Sequence, residues 1–174
     1  LPAEGADAVV QALRMFVEIQ RGGNDASWIQ LRRMLEDTSP ILLRTSLGLH
    51  LKFRRGDVDL LPAIRPLLEH PQADVRESAA RLVEQVVSKY GPQAIGERDR
   101  LQNELASRAR RDQVASVRIA AIEALDRLDG ESVQAILDEI ADDDPDQTVR
   151  YTAEALSYER RLRRPAAAAG DAPD

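Results

Sequence analysis

An arginine recurs at a fixed place in a short apolar phrase, and this recurrence constrains the fold more than any other feature. The arginines are Arg44, Arg76, Arg118 and Arg150, separated by 32, 42 and 32 residues. A period in this range is typical of a solenoid, because each unit cannot bury its apolar face alone and stacks on its neighbours. The phrase therefore predicts a repeat architecture, and it indicates no chemical activity by itself.

Aligning the four copies on their arginines predicts which side chains face the interior. The residue before the arginine and the residue three after it are apolar in every copy. The residue two after it is small, which lets neighbouring helices approach closely. These columns are Leu43, Val75, Val117 and Val149, then Leu47, Ala79, Ala121 and Ala153, and then Ser46, Ser78, Ala120 and Thr152.

Alanine and leucine dominate the apolar positions, and both favour helix, so we expect an all-α chain. The expected architecture is a right-handed α-solenoid of about nine helices. A leading helix covers about 5–20, with Val9, Val10, Leu13, Phe16 and Val17 on one stripe. Four pairs follow, each of a helix A and a helix B, at about 25–36 with 40–55, 58–69 with 73–90, 93–111 with 115–129, and 131–142 with 146–162. We expect one domain over 1–164, with repeats at 25–56, 57–91, 92–130 and 131–162, and a flexible tail over 165–174.

Composition narrows the classes of function. The formal net charge is −6, which argues against general affinity for nucleic acid or an anionic membrane. No run of uncharged apolar residues is long enough for a membrane helix. Cysteine is absent, which excludes disulfides and thiolate chemistry and fits a reducing compartment, so we expect a cytoplasmic location.

The best copy of the phrase begins Asp144-Pro-Asp-Gln-Thr-Val-Arg150 and continues to Leu156. It resembles HEAT repeats, and in particular the short bacterial repeats related to phycobilin lyase subunits. In such repeats the turn aspartate and the helix-B arginine commonly bond within and between repeats, forming a ladder. The resemblance implies a structural ladder of Asp112 with Arg118 and of Asp144 with Arg150, with Arg76 as a further member. His70 and Thr38 stand where aspartate is expected in the other two repeats, so their rungs depart from the pattern.

Motifs for catalysis or metal binding are weak. Asp142, Asp144 and Asp146 have calcium-loop spacing, but Gln147 and Ala153 replace the glycine and glutamate that such a loop needs. His50 and His70 are the only histidines, too few for a zinc site, and the column of His50 predicts a histidine packed at the edge of the core. No nucleophile elbow or phosphate loop is present. We predict no catalytic, cofactor or metal site.

The remaining surface of the B helices predicts a binding face for a protein or peptide. Positions one, five and eight after each arginine lie opposite the core by helical spacing. Tyrosines there would be interface anchors, and the carboxylates would favour a basic partner segment. The predicted contact residues are Leu49, Glu77, Arg81, Glu84, Ile119, Glu123, Asp126, Tyr151 and Tyr158.

Two alternatives stay open from the sequence. The arginine runs at 108–111 and 160–164 could contact nucleic-acid phosphates, although each lies near a helix C-terminus, where cations are favoured anyway. The resemblance to lyase subunits implies a third possibility, a chaperone-like or lyase subunit that acts on an apo-protein.

Overall fold

The computed structural model describes residues 3–53, 56–128 and 130–168, and every regular element in these ranges is helical. The all-α prediction is confirmed. The α-helices are α1 (Ala3–Gln20), α2 (Asp25–Arg33), α3 (Pro40–Phe53), α4 (Leu61–Ile64), α5 (Ala73–Tyr90), α6 (Arg98–Arg111), α7 (Ala115–Arg127), α8 (Glu131–Asp143) and α9 (Gln147–Ala168). Short 3₁₀ turns cover Met34–Glu36, Val58–Leu60, Arg65–Glu69 and Pro92–Ala94.

The helices form two layers. The B layer consists of α1, α3, α5, α7 and α9, and each of these helices packs against the next one in that order. The A layer consists of α2, the segment 58–69, α6 and α8, which lie in sequence between the B helices and pack against them. Residues far apart in the chain meet mainly through neighbouring repeats, as expected of a solenoid. The leading helix therefore belongs to the B layer and extends it by one member.

Two of the three aligned columns form the interior, as predicted, whereas in the column two after the arginines Ser46 and Ala120 are buried and Ser78 and Thr152 are half-buried. Leu43, Val75, Val117 and Val149 are all buried, and so are the four residues three places after the arginines. One continuous apolar cluster runs from Leu35 to Ala153. A second, smaller cluster joins α1, α2 and α3 at the N-terminal end. Burial of repeated small and aliphatic side chains is thus what holds successive repeats together.

Two A-layer elements differ from the prediction, and each difference has a local cause. The segment 58–69 was expected to be one α-helix, but only α4 within it is α-helical, and the rest is 3₁₀ helix. Pro62 and Pro66 lack the N–H that an α-helix requires, and their rings crowd the preceding turn. The expected helix over 93–111 begins instead at Arg98. The extra residues of the third repeat are therefore divided between a longer α5, of 18 residues where α7 has 13, and the entry loop over 91–97, which opens at Gly91 with a φ of 79° that favours glycine.

The two ends of the chain also depart from expectation. The stripe predicted on α1 does not face the core, since Val10, Leu13, Phe16 and Val17 are exposed and Ala12, Met15 and Ile19 are buried instead. Helix α9 continues to Ala168, four residues into the segment predicted as a tail. The remainder of that segment, 169–174, lies outside the described residues.

Candidate interaction surfaces

The arginine ladder joins each repeat to the next one. Arg76 holds Asp112 with both sides of its guanidinium fork, at 2.7 and 2.8 Å, and Arg118 holds Asp144 at the same distances. Arg118 also donates to the backbone carbonyl of Asp112 at 2.8 Å, and Arg150 donates to that of Asp144 at 2.6 Å. The predicted pairs of Asp112 with Arg118 and of Asp144 with Arg150 are therefore present, but each bond runs to the backbone carbonyl of the aspartate and not to its carboxylate. Within a repeat the arginine donates to the backbone carbonyl of the turn aspartate. The carboxylate of that aspartate binds the arginine of the preceding repeat.

The carboxylate of each ladder aspartate also accepts a hydrogen bond from a backbone N–H group of its own turn, which helps to orient the carboxylate. Asp112 accepts the N–H of Val114 at 3.1 Å, and Asp144 accepts that of Asp146 at 2.8 Å. Burial alone would raise the pKa of Asp112, but the hydrogen bonds from Arg76 and Val114 and the charge of Arg76 outweigh it and lower that pKa. The same bond to Asp112 raises the pKa of Arg76. These groups fix the turn between helices A and B and the stacking of repeats.

The first rung is built differently. Arg44 pairs with Asp74 at 3.0 Å, and the two side chains are 49% and 53% exposed. His70 stands where the ladder aspartate would be, and its Nδ1 accepts the N–H of Gln72 at 3.2 Å, which reproduces only the turn-fixing bond. Because His70 has no carboxylate to pair with Arg44, Arg44 forms its ion pair with Asp74 in the first turn of α5 instead.

The middle of the predicted binding face is occupied by ion pairs between repeats. Arg81 contacts Glu77 at 3.0 Å and Glu123 at 3.3 Å. Glu77 also accepts a hydrogen bond from Ser116 at 2.6 Å, and this bond, followed by Arg81, lowers the pKa of Glu77. Farther along the same helices, Arg127 contacts Glu84 at 2.9 Å. Ile119 is partly buried against the core. The charges expected to attract a basic partner are thus largely matched within the chain.

Two of the predicted contact residues lie in the interior. Leu49 is 3% exposed because α1 lies beside α3 and covers it. Asp126 is 3% exposed and accepts bonds of 2.8 and 2.9 Å from Arg163. Helical spacing alone placed both on an open face, but spacing does not show which neighbour covers that face. The prediction that Asp126 contacts a partner is therefore wrong, whereas Leu49, although almost fully buried, is among the residues that line a groove between α1 and α3.

Tyr151 and Tyr158 are exposed at 60% and 62%, and they line a groove between α8 and α9. This α8–α9 groove has a volume of about 610 Å³ and is lined by Asp138, Ala141, Asp142, Tyr151, Glu154, Ala155, Ser157, Tyr158 and Arg161. Arg161 is matched by Asp138 at 2.8 Å. Asp142 and Glu154 are exposed and make no ion pair or side-chain hydrogen bond with the described part of the chain. The groove therefore joins aromatic surface to unmatched negative charge.

The arginine runs are mostly engaged inside the fold. Arg160 is buried and donates to the carbonyls of Asp126, Leu128 and Gly130 at the end of α7, at 2.9 to 3.2 Å. Arg110 binds Glu139 at 2.6 Å, and Arg108 lies 3.9 Å from Glu69. Guanidinium groups that already satisfy carboxylates and helix C-termini contribute little to phosphate binding. The side chain of Arg164 lies outside the described residues.

The other candidate residues have structural tasks as well. Asp146 accepts the N–H groups of Thr148 and Val149 at the start of α9, and those bonds lower its pKa. Within the ranges that the structure describes, no three acidic or histidine side chains lie close enough to hold a metal ion. His50 is buried, as predicted, with Nδ1 2.9 Å from the carbonyl of Ser46 and its ring edge-on to Trp28. Burial lowers the pKa of His50.

A second groove was not predicted as a separate site, although Leu49, one of the predicted contact residues, is among its lining residues. It lies between α1 and α3, has a volume of about 470 Å³, and is walled by Val9, Leu13 and Phe16 of α1 and by Ile41 of α3. The signal that could have found it is the pattern of α1, which carries apolar residues on two stripes where a helix at the edge of a domain needs only one.

Stacked helical hairpins joined by an arginine ladder define this chain as an α-solenoid protein. A family model described as HEAT repeats matches residues 93–157, and a model of the single HEAT repeat matches residues 60–90. The chain belongs to the HEAT-repeat family. Searches of curated proteins and of solved structures found no match. The closer resemblance to phycobilin lyase subunits stays a prediction. Over the described ranges, no helix combines the length and the apolar character needed to cross a membrane.

Proposed function

We propose that this chain is a non-catalytic interaction module that binds a basic segment of a partner protein in the α8–α9 groove. HEAT repeats commonly serve as protein-interaction scaffolds, which supports the general class. The observation that carries the specific proposal is the pairing of Tyr151 and Tyr158 with Asp142 and Glu154 around one groove.

The chemistry of the groove favours arginine or lysine as the central contact. Tyr151 and Tyr158 are seven residues apart on α9, two helical turns or about 10.5 Å, so their rings stand on the same side of the helix. A guanidinium lying over a tyrosine ring gains a cation–π contact, and a nearby carboxylate adds a charged hydrogen bond. Because Asp142 and Glu154 are unmatched within the described residues, a cationic partner would neutralise them without breaking an internal pair.

Tyrosine truncation tests the proposal. The probes are a short fluorescent peptide with two arginines and the same peptide with glutamines in their place, and fluorescence anisotropy measures both affinities. Tyr151→Ala and Tyr158→Ala should each weaken binding of the arginine peptide by about tenfold, the usual size of an interface hot spot. Tyr90→Ala is the matched control, because Tyr90 is an exposed tyrosine that does not line the groove.

Charge reversal tests the second half of the proposal. Glu154→Lys should weaken the arginine peptide strongly and leave the glutamine peptide almost unchanged. Glu159→Lys makes the same change at an exposed glutamate of α9 outside the groove and should have little effect. Equal losses in Glu154→Lys and Glu159→Lys would show only general charge attraction, and the groove would then not be the site. Binding unaffected by either tyrosine substitution would reject the proposal.

A further inference from the structure

The α1–α3 groove differs in character from the surface around it. Its walls are the aliphatic and aromatic side chains of Val9, Leu13, Phe16 and Ile41, and neither aspartate nor glutamate is among its lining residues. Leu13 and Phe16 remain 59% and 46% exposed. Contiguous apolar surface of this kind marks interaction sites in proteins that are otherwise well covered by charge.

The floor of the groove is opened by Gly48, which lies on the exposed side of α3. A Cβ atom added at Gly48 would meet no other group within 4 Å, so the glycine leaves real space. Glycine weakens a helix interior by up to about 1 kcal/mol relative to alanine. The missing side chain therefore costs the helix some stability and gives the groove its depth.

Two cations flank the groove in a chain whose net charge is negative. Arg44 and Lys52 both line it, and they are eight residues apart on α3, about 12 Å along the helix axis. The ammonium of Lys52 lies 5.7 Å from the ring centre of Phe16 and 5.6 Å from that of Phe53, which holds the charge at the rim. Lys52 makes no ion pair with the described residues. Among the residues that the structure describes, Arg44 forms an ion pair only with Asp74, and both side chains are about half exposed.

The polar groups available in the groove decide the conformation of a ligand. The hydroxyl of Thr45 already donates to the carbonyl of Ile41 at 2.8 Å, and the remaining wall is apolar. An extended segment would place unpaired backbone N–H and C=O groups against that wall, which is unfavourable. A helix satisfies its own backbone and presents only side chains. Val9 to Phe16 spans about 10.5 Å of α1, which matches apolar residues at positions i, i+3 or i+4, and i+7 of a docked helix.

We propose that the α1–α3 groove binds an acidic amphipathic helix of a partner protein, with its apolar stripe against Leu13 and Phe16 and its carboxylates at Arg44 and Lys52. A second copy of this chain fits less well, because a two-fold contact here would bring the cationic rims of the two copies together. This groove and the α8–α9 groove share no residue. Either proposal can therefore fail without the other.

Substitution of Gly48 gives a test that leaves the fold intact. The probe is a fluorescent helical peptide of about 14 residues, about 21 Å long, with leucines at i, i+3, i+4 and i+7 and glutamates beside that stripe. Two matched probes replace the glutamates with lysines or the leucines with glutamines. We expect the acidic amphipathic probe to bind the full chain at least about tenfold more tightly than either matched probe.

Gly48→Glu should weaken binding of the acidic probe by at least about tenfold. The introduced glutamate side chain fills the floor of the groove, and its carboxylate lies four residues from both Arg44 and Lys52 on the helix, within reach of both cations. Gly48→Ala, the control, adds only a methyl group and should retain binding. Both variants should melt no lower than the original chain, since each replaces a helical glycine. Leu13→Asp should also remove binding, and Ile29→Asp, at an equally exposed residue of α2, should not.

Several results would overturn the proposal. They are equal binding of the glutamate and lysine probes, binding unaffected by Gly48→Glu, and no binding of any probe. Sedimentation velocity tests whether a second copy of this chain occupies the groove. A dimer that Leu13→Asp dissociates would show that a second copy covers the groove, and the proposal of an acidic partner helix would then be wrong.

Discussion

The ladder arginines occupy equivalent places in their repeats but differ in burial, so they offer an internal comparison. Arg118 and Asp144 are both buried, and Arg118→Ala would remove two bonds to the carboxylate and one to the carbonyl of Asp112. Of the contacts described for the Asp144 carboxylate, only the hydrogen bond from the N–H of Asp146 would remain. Removing one partner of a buried ion pair costs about 3–5 kcal/mol, because the other charge stays buried without compensation.

The matched control is Arg44→Ala. Arg44 and Asp74 are each about half exposed, and a pair in that environment contributes about 0–1 kcal/mol. For a chain of 174 residues, 1 kcal/mol corresponds to roughly 2–4 °C in Tm. Arg118→Ala should therefore lower Tm by about 6–20 °C, and Arg44→Ala by no more than about 4 °C. Arg150→Ala should lie between them, because Arg150 donates to a backbone carbonyl and leaves no carboxylate unpaired.

Thermal melts followed by circular dichroism at the helix band measure the Tm of all three variants. The double substitution Arg118→Met/Asp144→Leu checks the cause, since replacing a whole buried pair by apolar side chains is often neutral or stabilising. It should recover most of the stability that Arg118→Ala loses. Similar losses for Arg118→Ala and Arg44→Ala would refute the reasoning from burial. So would a double variant as unstable as Arg118→Ala, because the loss would then not come from an uncompensated charge.

The remaining predictions concern pH. Because the folded pKa of Asp112 lies below its ordinary value of 3.8, the stability that this carboxylate contributes is complete above pH 3.8 and is lost as the pH falls through the folded pKa. Arg76→Gln should flatten the acid limb of a urea-midpoint profile below that value more than Arg44→Gln does. Because the folded pKa of His50 lies below its ordinary value of 6.5, stability should fall as the pH is lowered from 6.5 toward the folded pKa, where the unfolded chain binds more protons. His50→Gln should reduce this slope in the same titrations, and an unchanged slope would count against the assignment, with His70→Gln as the control.

The sequence predicted the interior because the interior is periodic. The columns before and three after the arginines repeat in every unit, so each copy supports the assignment of the others, and Val75, Val117 and Val149 are all buried as expected. Arg76 and Arg118 bind aspartates of the neighbouring repeat, which is consistent with the structural role predicted for them. The repeat pattern could not show which arginine each aspartate carboxylate binds. The sequence does not show whether the carboxylate of a turn aspartate binds the arginine of its own repeat or that of a neighbouring repeat. Only the stacking of the repeats brings Arg118 to the carboxylate of Asp144.

Local breaks in the pattern were harder to predict. Pro62 and Pro66 stand in a segment with helical apolar spacing, and their missing N–H groups outweigh that spacing in 58–69. Leu49 and Asp126 were misplaced for another reason. Their positions in the helical period predict that both side chains point to solvent. In the structure α1 covers Leu49 and the long helix α9 covers Asp126. Helical phase gives the direction of a side chain within its own helix but does not show which element lies there.

These misplacements and the two grooves have one physical origin. In the middle of a solenoid every B helix has a neighbour on each side, and residues of its outer columns bond to those neighbours, as Arg81 does with Glu123. Among the described residues, α1 and α9 each pack against one other B helix and not two. Tyr151 and Tyr158 on α9 and Leu13 and Phe16 on α1 are exposed. Treating all four repeats as equivalent spreads the predicted binding face evenly along the chain, whereas the two grooves proposed as binding sites lie between α1 and α3 and between α8 and α9.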